Sequence, residues 1–592
     1  MNLKPDEIAV GKENFNEAVG ISRREFLQGS VAAAAVSGVG LGAAYFGYQQ
    51  LKVNDPVRVG VIGTGDEGSV LIGAINPEYI DVVAISDIRP YNVHRAFHGD
   101  HSSPAALDAR KGLMSVYDWK TEDEAKKHVK VYTDYKELLA DPNIEAVICA
   151  LPLFLHKQVA MDAMAAGKHV LTEKLMAQTV MQCKEMARMA EEQNLYLATG
   201  HQRHYSVLYD NAVNLIKWGV LGEIHHIRAQ WHRGNLPGGD SWQQPLPGGE
   251  KLADGKMVDE IKSQMNKFKK RIEDESDPAR RAQYKLLFAQ YEAWNNDRDI
   301  DPTQYGYNDF TIKNRQGQDR QISAMEELCR WRLWDRTGGG LMAELGSHQL
   351  DAASIFISAL RADGKKAHPL TVHATGGRHL FGYDRDADDH VYCMFEFPGS
   401  GYDPSFDVGY YDNVTNWPPA GKGVPSYNDD PHKKVVVTYS SINGNGYGGY
   451  GEVVMGSKGT LVLEREKDVM LYKNGVSADT KLSVKKGADG PTMDTQASGG
   501  GSKAAAVANT TSAGPVSRGY TEEIEHWAAC IRNPGPENKP KCHPEVAMAD
   551  AVIALTARLA MQRSNQGKGG YVEFKEEWFD VHSDATPEKD LA

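Results

Sequence analysis

The 592-residue sequence is short of cysteine, with six in all and none in a Cys-x-x-Cys pair. That excludes a disulfide-held scaffold and a clustered zinc site. Positive charge is also in deficit: 66 Lys and Arg against 79 Asp and Glu give 66 − 79 = −13. Such a chain repels phosphate backbones and anionic lipid, so nucleic acid is excluded as a partner. No internal repeat is visible. What is present is an ordinary globular composition, 41% hydrophobic and 9% aromatic, at a length where one core stops growing and a second domain is expected. Cys149 and Cys183 fall in apolar patterns as small buried hydrophobes. Cys530 and Cys542 bracket a Pro- and Gly-bearing loop, and an oxidising compartment would let them bridge.

Ser22, Arg23, Arg24, Glu25, Phe26 and Leu27 precede a weakly apolar Ala/Gly/Val run over 31–47. This resembles a twin-arginine export signal. The resemblance implies a folded chain handed to the twin-arginine machinery with any nucleotide already bound. It places the protein in the periplasm, or tethered on the outer side of the cytoplasmic membrane. Residues 1–50 are set apart from the fold on this reading.

From Val57 an apolar strand runs into Gly63, Gly65 and Gly68 and then a helix. The first glycine permits a tight turn, the second lets a pyrophosphate approach the backbone, and the third lets helix and strand pack. The helix N-terminus, with Asp66 and Glu67 in its first turn, faces the phosphates. A second strand, 81–86, ends at Asp87, spaced to bond the adenosine ribose hydroxyls and favour NAD over NADP, although Arg89 keeps NADP open. A buried strand over 146–150 leads to Pro152 and His156, and another ends at Glu173 and Lys174. These segments make residues 51–200 a Rossmann dinucleotide-binding domain. Ligands gather at such strand ends.

After Gly200, Gln202, Arg203 and Tyr205 the pattern changes. Strand-like alternation recurs at 222–232, which includes Trp231, and at 371–375, 390–397, 434–440 and 460–464. An α/β chain is expected, with the Rossmann domain followed over 201–565 by an α/β domain built on a large, mostly antiparallel open sheet. Residues 235–331 read as an insertion containing a solvated helical hairpin from about 251 to 296. Helices are expected over 517–565 and a tail over 566–592. The stretches 401–450 and 497–514 read as loops. An exposed face on the large sheet would allow a homo-oligomer.

The glycine fingerprint, the Pro152–His156 turn and Glu173-Lys174 resemble the Gfo/Idh/MocA family of oxidoreductases. Leu175 stands where that family usually has proline. Gly338, Gly339 and Gly340 followed by Glu344 and His348 resemble its second motif, Gly-Gly-Gly then Asp-x-x-x-His, with Glu344 in the aspartate position. The resemblance covers roughly 55–235 and 336–565. It implies hydride transfer between firmly held NAD(P) and a hydroxyl of a carbohydrate or cyclitol, with His348 as general acid/base, Lys174 as electrostatic partner and Glu344 assisting.

The chemistry suits those residue types. A neutral imidazole, with an ordinary pKa near ~6.5, accepts the hydroxyl proton while an ammonium steadies the developing alkoxide. Glu344, His348 and Asp351 fall at i, i+4 and i+7, on one helical face if the helix is regular. With no second histidine at matching spacing they make a weak metal signature, and no metal is expected. Arg203, Tyr205, Trp231, Arg332, Trp334, Asp335 and Asp351 are candidate substrate contacts, aromatic faces and polar heads suited to sugars. Two other readings share the cleft: an NAD-dependent glycosidase working by transient oxidation and elimination, and a non-catalytic sugar-binding protein.

Overall fold

The computed structural model describes residues 3–19, 41–51, 53–251, 255–313, 317–382, 384–403, 433–473, 483–487, 490–494 and 518–591. Arg23, Arg24 and the other residues of the export motif lie outside them, as does the stretch 497–514.

Six strands, β1 (Val57–Ile62), β2 (Ile80–Ser86), β3 (Lys130–Tyr132), β4 (Ala146–Cys149), β5 (His169–Glu173) and β6 (Leu197–Gly200), form a parallel sheet in the order β3-β2-β1-β4-β5-β6. This is the doubly wound nucleotide-binding order, with its switch point between β1 and β4. The strands are apolar on both faces because helices cover both: Val57, Val59, Val61 and all four residues of β4 are fully buried.

The second sheet holds β7 (Ile224–Arg233), β8 (Thr371–Gly377), β9 (His390–Pro398), β10 (Lys434–Asn443), β11 (Tyr450–Gly456), β12 (Gly459–Glu464), β13 (Asp468–Lys473) and β14 (Tyr571–Glu573). Their order is β13-β12-β11-β7-β10-β9-β8-β14, antiparallel except where β7 lies parallel to β10. Burial alternates along β9 and β10, as expected of a sheet with one face on the core and the other on solvent. Tyr392, Met394 and Tyr571 stand exposed on it. The expected α/β architecture is therefore present in both halves.

Three expectations need correction. First, the charged insertion does form a helical hairpin, Glu260–Asp274 and Pro278–Asn296, whose helices are capped by Asp259 and Asp277, but it is docked rather than solvated. Trp294 stacks on Tyr91 at 4.5 Å. Asp297, fully buried, accepts Arg89 Nε at 2.8 Å and the Tyr91 amide at 3.0 Å.

Second, 566–592 is no loose tail. β14 pairs with β8, Trp578 is fully buried, and Lys184 Nζ donates to the carbonyls of Glu577, Ser583 and Ala585. Third, described parts of the first 50 residues belong to the fold. The helix Pro5–Ala18 lies on β13, where Asn14 Nδ2 donates to the Leu471 carbonyl at 3.0 Å. Tyr48 OH bonds Glu525 at 2.6 Å.

The six cysteines are buried and unbridged, Cys530 and Cys542 included. Among the described residues no helix is long and apolar enough to cross a membrane.

Candidate active site

A cavity of about 920 Å³ opens at the carboxyl ends of β1, β2, β4 and β5 and is lined on its far side by β7, the insertion and the turn that carries Glu344, Leu345 and His348. Gly63 holds φ +84°, and a Cβ there would lie 2.3 Å from the Ala150 carbonyl oxygen, so only glycine makes this turn. Gly68 packs against Gly63, where a Cβ would sit 2.1 Å from its carbonyl oxygen. Gly65 caps the helix Asp66–Gly73, and a Cβ on it would meet nothing nearer than Asn92 Nδ2 at 3.8 Å. That open space beside a helix N-terminus fits a pyrophosphate.

Asp87, at the end of β2, accepts the Thr64 amide at 2.7 Å and the Arg89 amide at 2.8 Å and still lines the cavity. The Arg89 guanidinium, which the sequence left free to meet a 2′-phosphate, is instead held by Asp297. Asp66 takes Arg95 Nη1 at 2.8 Å. Burial alone would raise its pKa, but Arg95 and Arg332 outweigh that and hold it at about 2. These groups suit a nicotinamide dinucleotide.

Pro152, His156, Glu173, Lys174 and Gln202 also line the cavity, as does Glu67. His156 is a clamp: its two ring nitrogens lie 2.8 Å from the carbonyl oxygens of Leu175 and Leu151. It thereby ties the turn after β4 to the peptide that follows Lys174. The Lys174–Leu175 bond itself is cis. Burial, and then the charge of Glu67, push the Glu173 pKa up to about 8 against the pull of Lys174.

Lys174 Nζ donates to the Glu344 carbonyl oxygen at 2.9 Å. His348 lines the same cavity, its ring 5.6 Å from that of Trp231, and its nitrogens make no hydrogen bond among the described residues. Burial, followed by the charges of Lys174 and Arg203, lowers the His348 pKa well below the ordinary histidine value.

The glycine loop is built as it must be. Gly339 and Gly340 both hold positive φ, +74° and +75°, a pair that side-chain-bearing residues rarely adopt. A π turn over Met342–Gly346 then leads into the helix Ser347–Ser358. That wide turn breaks the regular spacing assumed between Glu344 and His348, whereas His348 and Asp351 share the regular helix after it. Glu344 and His348 still reach the cavity, but the Glu344 carboxylate bonds Arg332 Nε at 3.0 Å rather than the His348 ring. Asp351 turns away, 1% exposed, to His204 at 3.0 Å and Lys366 at 2.7 Å.

Of the candidate substrate contacts, Trp231 and Arg332 line the cavity, while Asp335 pairs with Arg558. Arg203 is buried between Glu452 and Glu466 and donates to the His348 carbonyl. Tyr205 is buried against His526 and the Lys541 amide, and Trp334 is a core residue edge-on to Phe310. These three and Asp351 are structural, because their polar groups are engaged or enclosed away from the cleft. Two clusters, His201/Cys542/Asp550 and His204/Asp351/Asp550, have ligand-type atoms close enough for a metal. There Lys366 Nζ already pairs with both Asp351 and Asp550, supplying a cation from within the chain.

Sequence reasoning missed the cavity wall built by the insertion: Trp242, Tyr305, Tyr307 and Trp331. Arg233, at the end of β7, was missed as well. It stands two residues after Trp231, on the same strand face, and that spacing was a usable signal.

Residues 57–201 match the family model GFO_IDH_MocA, described as "Oxidoreductase family, NAD-binding Rossmann fold". An uncharacterized oxidoreductase of Schizosaccharomyces pombe is 38% identical over 132 residues, 22% of this chain and 36% of that protein. An inositol 2-dehydrogenase/D-chiro-inositol 3-dehydrogenase of Lactiplantibacillus plantarum is 29% identical over 171 residues, 28% of this chain and 41% of that one. An aldose-aldose oxidoreductase from Caulobacter crescentus, solved with glycerol, covers 88% of this chain and all of its own at 14% identity. Its TM-score of 0.45 is too loose a likeness to carry an argument. The chain spans about a third of the length of the first curated relatives it matches. Over residues 57–201 this chain is thus similar to the NAD-binding Rossmann domain of the Gfo/Idh/MocA oxidoreductase family.

Proposed function

We propose that this chain is a nicotinamide-dependent oxidoreductase acting on a secondary hydroxyl of a sugar, sugar derivative or cyclitol. The observation that carries this reading is that the glycine turn, Lys174 and His348 meet in one cavity. Gly63, Gly65 and the helix after them would hold the pyrophosphate and Asp87 the adenosine ribose, in favour of NAD. The cofactor, when bound, supplies the hydride acceptor.

The chain's own residues manage the proton. His348, neutral because burial and Lys174 disfavour its charged form, accepts the substrate's hydroxyl proton at a ring nitrogen. Lys174, held by the Glu344 carbonyl, presents its remaining donors to the oxygen that becomes negative. Trp231, stacked on Tyr450 at 4.4 Å, offers a flat apolar face to a sugar ring. Glu344 is a positioning residue, since its carbonyl fixes Lys174 and its carboxylate fixes Arg332.

Export belongs to the same reading. Arg23 and Arg24 address a folded chain to the twin-arginine route, and a firmly bound NAD(H) leaves with it.

The test is absorbance of reduced nicotinamide when the purified protein meets NAD and a panel of aldoses and cyclitols. Formation of NADH with a keto or lactone product is expected. Release of free sugar from an aryl glycoside with no net NADH would instead assign the cleft to the glycosidase reading.

A further inference from the structure

Seven arginines line the cavity: Arg89, Arg95, Arg110, Arg233, Arg330, Arg332 and Arg518. Six are neutralised by carboxylates. Arg89 pairs with Asp297, Arg95 with Asp66, Arg110 with Asp100, Arg330 with Glu250, Arg332 with Glu344 and Arg518 with Glu466, at 2.5 to 3.0 Å. Arg233 is the exception. No carboxylate lies within 4.0 Å of it among the described residues, and its guanidinium carbon instead sits 5.7 Å from the Trp231 ring and 5.4 Å from the Trp242 ring.

The nearby acids are already committed. Glu344 is held by Arg332, and Asp240 by Arg385 at 2.6 Å. Lys174 adds a second uncompensated positive charge, because its partner is a carbonyl. Burial and the adjacent Arg332 press the Arg233 pKa down from the ordinary arginine value, yet a guanidinium does not give up its proton in a protein. A partly buried cation beside two indoles, with its acids spent elsewhere, leaves an anionic position open in the cleft near Trp231 and His348.

We propose that the substrate is an acidic sugar or cyclitol, with a carboxylate on or beside the ring, and that Arg233 receives that carboxylate. The planar guanidinium matches a carboxylate through two parallel N–H donors, and Trp231 and Trp242 flank it at 5.7 and 5.4 Å. The carboxylate end sets which molecule is held and in which direction, and the hydroxyl to be oxidised then falls to Lys174 and His348. This inference rests on the oxidoreductase reading and narrows its substrate class.

The test is calorimetric titration of the NAD-loaded protein with D-glucuronate and D-galacturonate, beside D-glucose and D-galactose. The acids are expected to bind about 10- to 100-fold more tightly than their neutral parents, the range of a hydrogen bond to a charged group. Arg233→Gln should bring the acids down to the level of the neutral sugars, and Arg233→Lys should restore part of the preference. Circular dichroism and NAD titration of each variant establish that it is folded. Equal or tighter binding of the neutral sugars, no detectable binding of either acid, or a preference that survives Arg233→Gln would overturn the proposal. Oxidation of neutral sugars without preference for the acids would remove this inference and leave the oxidoreductase reading standing. Failure to bind NAD would remove both.

Discussion

Lys174, at the end of a Rossmann strand, reaches across the cleft and donates from Nζ to the carbonyl oxygen of Glu344, 170 residues further on, at 2.9 Å. One hydrogen bond therefore ties the end of β5 to the π turn that leads into the helix carrying His348. Lys174→Ala should lower turnover by about 10²- to 10⁴-fold, the range for removing one group that acts on the proton or the developing charge. NAD affinity, measured by fluorescence titration, should change little, because the pyrophosphate and ribose positions lie elsewhere.

The depressed pKa of His348 makes a prediction about pH. The neutral imidazole is the base, so kcat/KM for oxidation should hold level as pH falls through 6.5 and drop only well below it. Burial is the first cause and the charge of Lys174 the second. In Lys174→Met the acid limb should therefore move to higher pH. An acid limb that stays in place would show that Lys174 does not act on His348.

Asp297 ties the insertion to the nucleotide domain. Asp297→Ala leaves Arg89 buried without its carboxylate, which should cost about 3–5 kcal/mol in urea unfolding. A protein that unfolds at unchanged urea concentration would mean that the docked hairpin adds nothing to stability.

Glu173 links stability to pH with the opposite sign from a salt-bridged acid. Its folded pKa of about 8 lies above the unfolded value. Between about pH 4.5 and 8 the unfolded chain ionises this group and the folded chain does not, so stability falls as pH rises. Glu173→Gln should remove most of that slope from a series of melting curves between pH 5 and 8. A slope left unchanged would place the titrating group elsewhere.

The Rossmann half was legible because its signals are local. Val57–Ile62, the spacing of Gly63, Gly65 and Gly68, and Asp87 at the next strand end all follow from one strand-turn-helix unit. The strands of the second sheet were legible as alternation, although their order was not, since β7 pairs with β10 and β11 more than 200 residues away.

The site was half legible. Lys174 and His348 stood in recognisable motifs, but three residues of regular helix turn Asp351 about 60° from His348, which is enough to aim it at His204 and Lys366 instead of the cavity. Arg203 and Tyr205 follow the motif-bearing strand closely and were misread as cleft residues. Their partners, Glu466 and His526, lie more than 260 residues distant. The insertion read as solvated because its charges dominate its composition, whereas docking depends on single residues such as Trp294 and Asp297.

The central claim is that a nicotinamide nucleotide occupies this cleft, and it is tested most directly by denaturing natively purified protein and weighing what it releases by mass spectrometry. NAD(H) at close to one per chain is the expected result. No released nucleotide, together with no binding of added NAD or NADP, would contradict the account.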